Sequence, residues 1–259
     1  MFFKPSTKNQ YTMKKYVIIF LALCLWACKE SKEEKEEDTA VAENETEMAA
    51  AADDGWVDLM APENVSHWRG YNGEGLPSGW KVEDGILMSS GEGGDIGGDI
   101  IYDADKYEEF ELTVDWKLSP EGNSGIFYHV VEDKKYHAPY EVAPEYQIID
   151  QLGFPQKLED WQSIGADYAM YTPDYKDEDL RPMGEWNTSK IVFTNDKATY
   201  YLNGKKTVEF VPYSEDWEKR RNSGKWEDYP DYGTSRTGYI GLQDHGSEIA
   251  FKNIKIKKL

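Results

Sequence analysis

Between residues 110 and 118 every second side chain is apolar. Phe110, Leu112, Val114, Trp116 and Leu118 alternate with Glu111, Thr113, Asp115 and Lys117. Period two is the mark of a strand with one buried face. Shorter versions of the pattern recur. Residues 191–193 and 199–202 flank Asn195-Asp196 and read as a hairpin. Asn203-Gly204 is a strong hairpin turn, since both residues tolerate positive φ, and a strand over 208–210 follows it. Residues 239–242 and 249–256 predict two further strands. Helical periodicity is confined to 214–221. Three stretches read as long loops: 132–144, 151–187 and 213–237. Loops of that length carry function or are disordered. Trp161, Tyr168, Tyr171, Trp186, Trp217 and Trp226 within them argue for order. Many short strands, 9 Trp, 18 Tyr and 22 Gly predict an all-β sandwich or barrel.

Three strands are too polar for that role alone. In 123–129, Ser124, Ile126 and Tyr128 share one face, which leaves Asn123, Phe127 and His129 on the other. In 145–150, Tyr146 and Ile148 suit the core, so Glu145 and Gln147 project together on the opposite side. In 242–246, Gln243 and His245 fall together. A sheet burying one apolar face has no need of Asn, His, Glu, Gln, Gln and His opposite it. Together they would form a polar floor of acids, bases and amides, suited to a sugar and to proton transfer.

The first part of the chain reads differently. Met13-Lys14-Lys15 and the apolar run 16–27 resemble a signal peptide rather than a membrane span, with 1–12 an upstream extension. Leu25-Trp26-Ala27-Cys28 resembles a lipobox, so residues 1–28 are expected to be a lipoprotein signal with Cys28 lipidated. The alternative is a plain secretory signal with an incidental cysteine. Residues 29–54 are acidic and poor in large apolar residues, which predicts a disordered linker. The expected location is the outer membrane, facing the periplasm or the cell surface. The folded domain is expected over 55–259. Cys24 and Cys28 are the only cysteines, so that domain has neither a disulfide nor a thiol nucleophile. A net charge of -20 disfavours nucleic acid and anionic lipid as partners.

Asn-Ser-Gly-Ile-Phe-Tyr, Glu-Tyr-Gln-Ile-Ile-Asp, Gly-Glu-Trp-Asn, Tyr-Leu-Asn-Gly, Gly-Tyr-Ile-Gly-Leu-Gln-Asp-His-Gly and the closing Phe-Lys-Asn-Ile-Lys-Ile-Lys-Lys-Leu follow one another in this order. The set resembles the 3-keto-disaccharide hydrolase, or 3-keto-glucoside lyase/hydratase, domain family. The resemblance covers roughly residues 55–259. It implies a concanavalin-like jelly-roll sandwich with long loops around a concave face. It also implies action on glycosides whose C3 hydroxyl has been oxidised to a ketone, and hence an upstream sugar 3-oxidoreductase. His129 stands where the family commonly has Arg, which exchanges a fixed cation for a titratable group.

A C3 ketone acidifies the C2 hydrogen, and its loss gives an enolate that expels the C1 oxygen. Such a site needs a base, an enolate stabiliser and an acid. Glu145 is the expected base, the alternative being a structural carboxylate. Asp150 is the second carboxylate; strict alternation turns it away from Glu145, and a β-bulge would return it. Glu-x-Gln-x-x-Asp also resembles the two-carboxylate strand of concanavalin-like retaining glycosidases, so direct hydrolysis is a rival reading. His245 is the candidate second acid/base or a metal ligand. Asn123, His129, Gln147 and Gln243 are candidate sugar contacts, and Trp186 and Tyr168 candidate stacking surfaces. A divalent cation held by Glu145, Asp150 and a histidine is one option. A non-catalytic carbohydrate-binding module is the other rival.

Overall fold

The computed structural model describes residues 54–92 and 98–259. The signal segment 1–28, Cys28 and the linker up to residue 53 lie outside the described residues. Thirteen strands follow one another: β1 Trp56–Asp58, β2 Trp68–Gly70, β3 Trp80–Glu83, β4 Ile86–Ser90, β5 Ile100–Tyr107, β6 Phe110–Leu118, β7 Asn123–Val130, β8 Glu145–Ile149, β9 Asn187–Phe193, β10 Ala198–Leu202, β11 Lys205–Phe210, β12 Gly238–Leu242 and β13 Glu248–Lys258. Among the described residues one α-helix, α1 (Glu215–Arg221), interrupts them, along with short 3-10 turns. Ser214 caps it, accepting the Trp217 amide proton.

The strands form two antiparallel sheets packed as a jelly-roll sandwich. One runs β11-β10-β9-β6-β13-β4-β3, with β1 also paired to β13; the other runs β2-β5-β12-β7-β8. The alternation in β6 is realised: its even-numbered residues are buried and its odd-numbered ones less so. Those side chains meet Ile126, Tyr146, Ile148, Ile240 and Leu242 of the smaller sheet in the main core. Asn203 and Gly204, at φ 51 and 83, make the tight turn between β10 and β11.

In the smaller sheet, β12, β7 and β8 lie side by side. β7 and β8 pair without a register shift, Gly125 opposite Gln147 and Phe127 opposite Glu145. Where β12 meets β7 the register slips, so that Tyr239 faces Val130 while Gly241 faces Phe127. The extra residue on β7 is accommodated at His129, whose φ is 56. This is a β-bulge with one residue in the left-handed region. Gly238 lies against it; a Cβ there would come within 2.2 Å of the His129 carbonyl carbon, so only glycine fits.

The bulge corrects one sequence expectation. Tyr128 and His129 both turn into the core, and strict alternation fails at that point. The His129 ring packs edge-on against Phe193 and Phe110. Nε2 lies 2.9 Å from the Glu108 carbonyl oxygen, and the residue is 1% exposed. Burial lowers its pKa to about 4. His129 is a neutral core residue and cannot reach a sugar on the opposite face.

Candidate functional site

The outer face of the smaller sheet carries the polar floor. Asn123, Glu145, Gln147 and Gln243 line one cavity of about 290 Å³, together with His245, Tyr168, Tyr140, Tyr229 and Lys225. The neighbouring apolar residues of this face, Ile101, Phe127 and Val130, are covered by Val142 and Ala143 of the 132–144 loop. That loop therefore seals the apolar part and leaves the polar part open.

Glu145 sits on β8 and is 4% exposed. Its side chain lies over Gly125, where the missing Cβ leaves the space it occupies. Turned with its NH2 inward, the Gln147 amide donates to Glu145 Oε1 at 3.2 Å and to the Ser124 carbonyl at 3.1 Å. Burial raises the Glu145 pKa to about 8, the nearby Lys225 ammonium opposes the rise, and the Asp99 charge adds to it. Asn123 Oδ1 and Gln243 Oε1 are buried without a hydrogen-bond partner. Two orphaned amide acceptors in one small cavity are ready-made partners for hydroxyl groups.

Lys225 reaches in from an exposed turn at 224–228. Its Nζ lies 4.1 Å from the Tyr168 ring centre, 4.8 Å from Trp226 and 5.4 Å from Tyr140. Three aromatic faces thus hold the cation. Burial lowers its pKa while the Glu145 charge raises it, with a net downward direction. Trp226 stacks on Tyr232 at 3.5 Å and anchors the turn. Tyr168 is tied to the floor as well, its backbone N–H donating to the Glu145 carbonyl at 2.9 Å.

Two expected residues lie elsewhere. Asp150 follows the end of β8, and no bulge returns it to the floor. Its Oδ2 accepts the Glu121 amide and its Oδ1 the Gly153 amide, both at 2.9 Å. It is a turn-forming carboxylate. Trp186 lies on the outer side of the larger sheet, beneath the ammonium groups of Lys117 and Lys252. The trio of Glu145, Asp150 and a histidine is therefore not assembled. Among the described residues no group of three His, Cys, Asp or Glu side chains is arranged for a metal ion.

Sequence reasoning missed Lys225, Tyr140, Tyr229 and Asp99. Asp99 lies just before β5, and burial lifts its carboxyl to about 7. Lys225 had one available signal, its place beside Trp226 in the long 213–237 loop.

The chain has relatives of similar sequence and fold. A 3-keto-disaccharide hydrolase of Bacteroides thetaiotaomicron is 31% identical over 235 residues, covering 80% of this chain and 79% of the relative. A Parabacteroides distasonis crystal structure, described as a candidate glycosyl hydrolase, is 43% identical with a TM-score of 0.72, covering 79% of this chain and 94% of that one. A second from the same organism, similarly described, is 28% identical with a TM-score of 0.62, covering 79% and 99%. The 3-keto-alpha-glucoside-1,2-lyase-like domain matches residues 55–257, the sandwich with its polar floor and all three long loops, and the chain belongs to that family.

Proposed function

We propose that this protein cleaves 3-keto-glycosides by removing the C2 proton and eliminating the C1 oxygen, followed by hydration. The observation that carries the reading is the buried Glu145 beside the caged Lys225. A base for a carbon acid gains from a raised pKa, because proton affinity drives the transfer. Negative charge then develops on the C3 oxygen, and a cation in a partly desolvated cage is suited to meet it. Asn123 Oδ1 and Gln243 Oε1 accept from sugar hydroxyls, and Gln147 holds the Glu145 carboxylate by its amide. In the balanced step, Glu145 takes the C2 hydrogen as a proton, the C2–H electrons form the enolate, and the C1–O bond breaks. The leaving oxygen takes a proton from an acid at the cavity mouth, where His245 and Asp99 both lie. Water adding its hydroxyl to C1 and a proton to C2 completes net hydrolysis.

The reading includes export and anchoring through Cys28, and a separate oxidoreductase that installs the ketone. Direct two-carboxylate hydrolysis by Glu145 and Asp150 is not supported, because Asp150 serves its turn. The test is assay of the purified protein on a chromogenic 3-keto-glucoside beside its unoxidised counterpart, with and without chelator. Cleavage of the keto form alone, with exchange of the C2 hydrogen in heavy water, is expected. Glu145→Gln should abolish turnover and exchange and leave sugar binding. Release of the chromophore from the unoxidised glycoside would overturn the reading in favour of a hydrolase. Unchanged turnover in Glu145→Gln would overturn the assignment of the base.

A further inference from the structure

The cavity around Glu145 opens into a second, larger one of about 570 Å³. Tyr140, Gln243 and His245 line both, so the two are compartments of one cleft. The inner volume is at the small end of ligand sites and the outer one falls within their usual range. Backbone-rich walls at Gly70, Gly73, Gly75 and Pro77 shape the outer compartment. Of its carboxylates, Glu74 is exposed. Asp244 is occupied, accepting the Ser89 hydroxyl on Oδ2 and the Gly246 amide on Oδ1. Asp99 differs from both. Its Oδ1 accepts the Asp244 amide at 3.0 Å, while Oδ2 has no hydrogen-bond donor among the described residues.

We propose that the outer compartment is the leaving-group subsite and that Asp99 donates the proton to the departing oxygen. The inference rests on the elimination reading above. With the keto sugar over Glu145, the C1 substituent must leave through the junction at Gln243 and His245, which the outer compartment continues. An alcohol or sugar is a poor leaving group unless protonated as the bond breaks. A carboxyl fixed through one oxygen by a backbone amide presents the other as a positioned donor. Burial lifts Asp99 to about 7, so a substantial share of the carboxyl stays protonated near neutral pH. Its charge also acts on Glu145. Two carboxyls coupled in this way favour one proton between them; Glu145 has the higher proton affinity of the two, and the reactive form is the one in which Glu145 is ionised near Lys225 and Asp99 carries the proton.

The proton accounting closes. Glu145 gains the C2 proton as Asp99 loses its own to the leaving oxygen. During hydration Asp99 takes a proton from water as the hydroxyl adds to C1, and Glu145 returns its proton to C2. His245 is exposed and at the mouth, which suits it to orienting the substrate.

The test compares two leaving groups in Asp99→Asn, which keeps an oxygen for the Asp244 amide. The substrates are 4-nitrophenyl and methyl 3-keto-glucosides. Methyl glycoside cleavage should fall by about 10²–10⁴-fold. Nitrophenolate departs without a proton, so its release should fall by less than about tenfold. Exchange of the C2 hydrogen in heavy water should continue. Equal losses on both substrates, loss of exchange, or the same discrimination in His245→Gln but not in Asp99→Asn would each overturn the assignment. Absence of C2 exchange in the unaltered protein would instead overturn the elimination reading itself, so the two failures are distinguishable.

Discussion

Gly125→Ala is the sharpest perturbation of the Glu145 geometry. β7 and β8 set Gly125 diagonally beside Glu145, and the carboxylate folds across the glycine. A Cβ there would stand 2.3 Å from Oε1 and 2.8 Å from both Cδ and Cγ. Ordinary contacts begin about 1 Å further out. The Gly125 φ is not positive, so alanine strains no backbone; the carboxylate itself must move by about 1 Å. A misplacement of that size costs about 10² in rate, and the overpacking costs about 1–3 kcal/mol of stability. The assay is kcat/KM on a chromogenic 3-keto-glucoside, with thermal melting of the same preparations. A double-mutant cycle supplies the control. Glu145→Ala removes the obstructing atoms, so adding Gly125→Ala to it should lower stability by less than about 0.5 kcal/mol. Full activity in Gly125→Ala, or an undiminished stability cost in the Glu145→Ala background, would refute the argument that the glycine exists to seat the base.

Lys225→Met removes the cation that opposes the rise of the Glu145 pKa. At 4 Å and an effective dielectric of 20 an ion pair is worth about 4 kcal/mol, and this one is worth less because the two charges make no direct ion pair and Lys225 is exposed. The Glu145 pKa should rise further, and the acid limb of the kcat/KM profile, which reports the ionised base, should move up by about one pH unit or more; an unmoved limb counts against the pairing. Asp167 is a buried carboxyl beside the Tyr200 hydroxyl, its pKa driven well up by burial and then by the Glu145 charge. Its contribution is fully present below the unfolded pKa near 4 and is lost as pH rises, at about 1.4 kcal/mol per unit. The melting temperature of Asp167→Asn should therefore gain on that of the parent between pH 5 and 8, and a constant difference would exclude a protonated Asp167. His129 is held neutral, so protons taken up by the unfolded chain destabilise the fold as pH falls from 6.5 towards about 4. His129→Asn, which tolerates the left-handed φ, should flatten that acid limb in pH-dependent denaturation, with cleavage activity serving as the check that the bulge survives.

The floor was legible in the sequence because β8 and the end of β12 keep strict register. Tyr146 and Ile148 identify the core side, and Glu145 and Gln147 follow on the other. β7 obeyed the same rule only up to Tyr128. The bulge at His129 is fixed by a neighbour more than a hundred residues away, Gly238, which no local pattern reveals. Asp150 fails for a related reason: a strand that ends cannot say where its next side chain points, and turn amides claimed that carboxylate. Trp186 illustrates the ambiguity of aromatics in loops, since stacking on a sugar and stacking under lysines leave the same composition. Lys225 and Asp99 were invisible because each reaches the site by tertiary folding of a segment without periodicity.

The division between floor and loops also bears on why a sandwich of this kind does chemistry. The strands contribute amides and one carboxylate, and amides alone would serve a binding module equally well. On the proposed mechanism, the charges that would turn binding into reaction come from the connections: Lys225 from the turn after α1, and Asp99 from the approach to β5. A cation in a loop is precise only if the loop is rigid, and here two contacts make it so. Trp226 is clamped on Tyr232, and the Tyr168 ring that faces the ammonium belongs to a segment hydrogen-bonded along β8 through Tyr168, Gln147 and Gly165. The 163–171 segment thus acts as an added edge to the strand that carries Glu145, so base and cage move as one body. Loosening that edge should raise the Glu145–Lys225 separation and cut turnover while leaving the floor, and the affinity it gives for a sugar, largely in place.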